Sequence, residues 1–108
     1  MEQFDDPNQY EDVTVAVGCD LVWGFTIQPW DATGTTAVFT LGGSPFSVVV
    51  SVDTSGQDAL STFSVHLIPA QLASVGLNVS GATANYTVRE TMTDGSVIQI
   101  GNGVILAQ

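Results

Sequence analysis

The side chains best suited to chemistry are scarce in this chain: one histidine (His66), one cysteine (Cys19) and one strong base (Arg89), set against eleven carboxylates. General acid–base catalysis needs a positioned pair of groups. Strand alternation puts His66 with Ser64, on the face opposite Phe63, Val65 and Leu67, so a solvent-facing histidine is expected rather than a catalytic one. No Gly-x-Ser-x-Gly elbow is present to present a nucleophilic serine. Cys19 lies between Gly18 and Asp20, with no cation beside it in sequence to activate a nucleophile, and is expected to be a small buried residue. Being alone, it can form no intrachain disulfide.

Metal chemistry finds little to use. One Cys and one His are too few for zinc. Calcium has carboxylates in residues 53–58 and in Asp5, Asp6 and Glu11, but neither group matches the alternating spacing of a calcium loop. No glycine-rich loop follows a strand and opens a helix, so phosphate cradling is unsupported. Asn78-Val-Ser80 and Asn85-Tyr-Thr87 match the glycosylation pattern, which is frequent by chance in a Ser/Thr-rich chain. The expectation is a protein that is not an enzyme, with no cofactor, no metal and no catalytic residues.

Charge narrows the partners. Lys is absent and the formal net charge is -10, so the clustered cations that displace phosphate counterions do not exist, and nucleic acid is not an expected partner. No apolar run approaches the ~20 residues of a membrane span. Residues 1–12 have neither the basic nor the apolar region of a signal peptide, so synthesis in the cytoplasm is expected, which need not be where the chain ends its life. Five of the eleven acids fall in those twelve residues. This composition suggests a flexible acidic arm, either a solvated tail or a segment that orders on a neighbouring subunit with Phe4 and Tyr10 as anchors and Asp5, Asp6, Glu11 and Asp12 around them.

The elements behind these residues are strands. Residues 20–28 alternate, with Leu21, Trp23, Phe25 and Ile27 on one side and Val22, Gly24, Thr26 and Gln28 on the other. Residues 13–17, 36–41, 46–52, 59–68 and 82–90 alternate likewise, and a last strand spans 96–106 with a bulge expected at Gly101-Asn-Gly103. Asp94-Gly95 marks a two-residue hairpin turn. Residues 69–76 change period: Pro69 suits the first helical position and Gly76 the stop. The fold expected is all-β, a single Ig-like antiparallel β-sandwich of about seven strands with one short helical link, over residues 13–108.

What remains is surface. Val22, Gly24 and Thr26 form an uncharged outer face whose glycine leaves room for another backbone, and Trp30 sits in the turn-rich loop 29–34 as a lid or a contact residue. Edge strands with no lysine to blunt them invite pairing with a neighbour's strand.

The order of these pieces resembles a known group. Gly18-Cys-Asp20 leading into Trp23-Gly-Phe25-Thr-Ile27, then Asp31-Ala-Thr-Gly34, is similar to the opening of small β-sandwich domains in tailed-bacteriophage virion proteins. The Pro-Ala-Gln-Leu link, Tyr86-Thr-Val88, Asp94-Gly95 and Gly103-Val-Ile-Leu106 continue the likeness to the amino-terminal domain of upper baseplate proteins and to sandwich domains associated with long tail fibres. The resemblance implies a non-enzymatic structural component of a bacteriophage particle, located in the virion. Its implied partners are other virion proteins and copies of itself. Such domains usually begin longer proteins, whereas this sequence stops soon after Leu106, so a tail or baseplate adaptor or a head decoration protein is the expected form. The alternative is a soluble module that binds carbohydrate or protein through Trp30 and the loops.

Overall fold

The computed structural model describes residues 8–108. The expected alternation is realised in nine strands among the described residues, β1 (Gln9–Tyr10), β2 (Val13–Val15), β3 (Leu21–Ile27), β4 (Thr36–Leu41), β5 (Ser44–Ser47), β6 (Val49–Asp53), β7 (Leu60–Leu67), β8 (Thr83–Thr91) and β9 (Val97–Ala107), with one helix, α1 (Pro69–Ser74). They form two sheets. One runs β1-β9-β8-β4-β5, with β2 also on β9; the other runs β3-β7-β6. This is an Ig-like sandwich: β3-β7-β6 lie on one side and β9-β8-β4 on the other, with β5 added at one edge of the larger sheet and β1 and β2 at the other.

Two parts of the strand count differ from the sequence reading. The single run expected over 46–52 is cut at Val48, and its halves join different sheets, β5 on β4 and β6 on β7. Both sheets share one interior, so Phe46, Val48, Val50 and Val52 keep facing inward through the switch and the alternation never shows it. Pro45 is tolerated because β5 is an edge strand. The second difference is that the sandwich is not wholly antiparallel: β1 and β2 both pair parallel with β9.

The bulge is also displaced. Val88 pairs with Gly101 and Arg89 with Gln99, which leaves Ile100 as the extra residue, one position before the expected glycines. The β8–β9 turn is a three-residue loop: Gly95 N–H donates to the Met92 carbonyl, Gly95 takes φ +92°, and Met92 N–H then reaches the Ser96 carbonyl. The helix follows expectation. Pro69 opens it, Leu72 is buried, and Gly76 at φ +85° lets Leu77 N–H return to the Leu72 carbonyl at 2.9 Å.

The centre of the core is Phe39 stacked on Tyr86 at 5.2 Å between ring centroids, with Leu41, Phe63, Val88, Ile100 and Ile105 closing around them. Trp23 meets Tyr86 edge-on at 5.0 Å, and Phe25 stacks on Phe63 at 5.5 Å. Yet Trp23 and Phe25 are only half-buried. The reason is position: β3 is an edge strand, so its inward side chains are roofed by the other sheet but walled on one flank only.

Candidate functional site

Three places bring together the residues that the sequence singled out. The first is the amino-terminal strand. Residues 1–12 were expected to be an arm apart from the domain; Gln9 and Tyr10 instead pair with Gly101 and Asn102. The anchor Phe4 and the neighbouring Asp5 and Asp6 lie outside the described residues. β1 and β2 keep one register along β9, interrupted only at Glu11 and Asp12. There the Glu11 N–H still donates to the Asn102 carbonyl, whereas the Glu11 carbonyl turns inward and accepts the Tyr86 hydroxyl at 2.7 Å. The Asp12 carboxylate fills the gap by accepting Val104 N–H at 3.3 Å.

This crossing explains Gly103. A Cβ there would be driven into the Glu11 carbonyl oxygen and against the Tyr86 ring. Gly101 similarly leaves room for the Phe25 ring. The two glycines therefore serve close approach rather than a bulge. Burial, and then the carboxylates of Glu11 and Asp12, push the Tyr86 phenol well above its ordinary pKa, so it stays a donor. Tyr10 is exposed, and its hydrogen bond to Asp12 raises its pKa as well.

The second place is the loop between β3 and β4. Trp30 is half-buried and acts as the lid: its indole N–H donates to Glu90 Oε1 at 2.9 Å. Thr35 Oγ1 lies 2.6 Å from Glu90 Oε2. Beneath them, the fully buried Ser61 hydroxyl donates to the Trp30 carbonyl at 2.5 Å and accepts Ala32 N–H at 3.0 Å. Glu90 is fully buried and went unnoticed in the sequence. The signal was there, since Ala84, Tyr86 and Val88 face inward and the next even position is Glu90. Pro29, Trp30, Asp31, Ala59 and Met92 line a shallow, largely apolar hollow of about 330 Å³ beside the lid.

The third is the outer face of β3-β7-β6. Val22 and Val49 are exposed there, with Thr26, Thr62, Ser64 and Ser51 between and around them. Gly24 has a role other than the one expected. A Cβ on it would sit 2.6 Å from the Phe63 carbonyl oxygen, so the backbone that approaches closely is the neighbouring strand of its own sheet. At one end of this face His66 Nε2 lies 2.8 Å from Asp20 Oδ2, both exposed, a partner that the sequence reading missed because alternation does not say that β3 pairs with β7. Cys19 is exposed rather than buried, being carried out on the turn at Gly18. Among the described residues no three of His, Cys, Asp and Glu converge.

Three surface turns repeat one device. Asp31, Asp53 and Asp94 each accept the N–H and the hydroxyl of the residue two ahead, Thr33, Ser55 and Ser96. These hydrogen bonds hold all three carboxyls below their ordinary pKa.

No family model matches the chain, and no curated protein does. Among solved structures it is similar to the BTLA ectodomain, at TM-score 0.45 and 10% identity, over 98% of this chain and 95% of that one. It is also similar, at TM-score 0.45 and 7% identity, to a family 123 glycoside hydrolase from Clostridium perfringens, where the match covers 92% of this chain and 23% of the hydrolase.

Proposed function

We propose that this domain works by protein–protein contact, as a non-enzymatic structural component of a bacteriophage particle: a tail or baseplate adaptor, or a head decoration protein. The observation that carries the contact reading is the outer face of β3-β7-β6, which presents two exposed valines among small hydroxylated side chains and carries its charges only at its ends. Such a face loses little side-chain entropy and desolvates at little cost when covered by another protein. The phage setting is drawn from the likeness of residues 13–107 to virion sandwich domains. Mass spectrometry of purified particles tests it: the protein should be present in fixed stoichiometry, and its absence from particles would end the proposal.

A second reading, a carbohydrate- or protein-binding module, is favoured by the hollow beside Trp30. Against it, the Trp30 indole N–H is already spent on Glu90 and has no proton left for a sugar hydroxyl. A glycan array decides between them, since reproducible binding that is lost on Met92→Ala would favour the module.

A further inference from the structure

The two sheets have four edges, and three of them are blunted. β5 is four residues long and contains Pro45. The β1–β2 edge is broken at Glu11 and Asp12, which carry two negative charges into the gap. β6 is five residues long and ends on Asp53. β3 is different. It has seven residues, no proline, no charge and no bulge, and its register with β7 runs unbroken from Leu21–Leu67 to Ile27–Ser61. On its other side no described strand pairs with it, because the amino-terminal strand, which could have covered it, is committed to β9. The Glu11 carboxylate accepts the Trp23 indole N–H at 3.4 Å beside this edge, but a seven-residue edge with no proline, charged residue or bulge of its own is a template for strand addition.

We propose that the occupant of this edge is a second copy of the chain, joined β3 to β3 in antiparallel register about Gly24. The sequence is self-complementary in that register. Val22 falls opposite Thr26 of the second copy, Leu21 opposite Ile27, Trp23 opposite Phe25, and Gly24 opposite itself. Asp20 meets Gln28, so within the two paired strands no carboxylate opposes another, although the chain carries a net charge of -10. An isologous contact of this kind closes on itself as a two-fold dimer and leaves β3 no free edge for a third strand. The two three-stranded sheets become one of six strands, β6-β7-β3-β3-β7-β6, and the exposed Val22 gains a neighbour across the axis. It concerns the purified protein alone and stands apart from the phage setting.

Sedimentation equilibrium of the whole chain over a wide concentration range tests this. The weight-average mass should climb from 11.3 kDa toward twice that value. Val22→Lys combined with Thr26→Lys places lysines opposite lysines and should hold the protein at the monomer mass wherever wild type associates. Val22→Lys combined with Thr26→Glu places each lysine opposite a glutamate of the second copy and should restore the dimer. Both positions are exposed, and unchanged circular dichroism will confirm that each variant is folded. Val49→Lys, on the same face but two strands away, should associate as wild type does. A wild-type mass that stays at 11.3 kDa up to the solubility limit overturns the proposal, as does an unaffected double-lysine variant or a Val49→Lys variant that is itself monomeric.

Discussion

The Glu90 side chain is at zero exposure with no cation against it among the described residues, held by the Trp30 indole and flanked by the Thr35 hydroxyl. Replacing it with Ala leaves the indole N–H without an acceptor in a closed site and opens a void, so a loss on the order of 3 kcal/mol is expected in denaturant unfolding. Glu90→Gln keeps one carbonyl oxygen for the indole and should cost clearly less. Equal losses for the two variants would mean that packing, not the hydrogen bonds, fixes the loop. Tyr86→Phe removes a single neutral donor to the Glu11 carbonyl, and about 1 kcal/mol is expected there. These polar contacts were the least legible part of the sequence. Parity located the inward positions of β8, but nothing local says that an inward glutamate will meet an indole sixty residues away.

At the scale of elements, the strands were legible because alternation is a local pattern, and partnering was not. Residues 21–27 show the same periodicity at an edge as in the middle of a sheet, so alternation alone does not tell that Trp23 closes a flank. For that reason Trp23→Ala should cost about 3 kcal/mol, at the low end of large aromatic truncations. Gly101 and Gly103 looked like a bulge for a similar reason: a glycine needed for close approach and one needed for a kink are the same letter. Gly103→Ala separates the two roles. It should displace the strand at Glu11, so hydrogen exchange at the Glu11 amide, now bonded to the Asn102 carbonyl, should accelerate strongly while the amides of β4 and β7 keep their protection. Uniform acceleration across all strands would instead mark a general loss of stability.

For the whole molecule, eleven acids against one base set two opposed dependences on pH. The carboxyls of Asp31, Asp53 and Asp94 are lower in the folded chain than in the unfolded one. Their contribution is therefore complete above about pH 4 and is lost as pH falls through their folded values. Protonating acids also relieves repulsion, but that long-range part is screened beyond about 8 Å at physiological salt, whereas the turn hydrogen bonds are not. Tm at 0.15 M salt is thus expected to change little between pH 7 and 5 and to drop below about pH 4. A Tm still rising at pH 3 would show that repulsion dominates.

The parallel pairing of β1 and β2 with β9 has a mechanical side. The described chain enters beside Gly101, leaves beyond Ala107, and these two points lie at opposite ends of one parallel ribbon. Tension applied to the termini pulls those neighbouring strands past each other along their length. The bonds between them, extended by Val17 N–H to the Gln108 carbonyl, are then loaded together in shear instead of being unzipped one at a time. Single-molecule pulling from the termini should meet one high rupture peak that falls sharply in Gly103→Ala, and a low, gradual release would show that the ribbon bears no load.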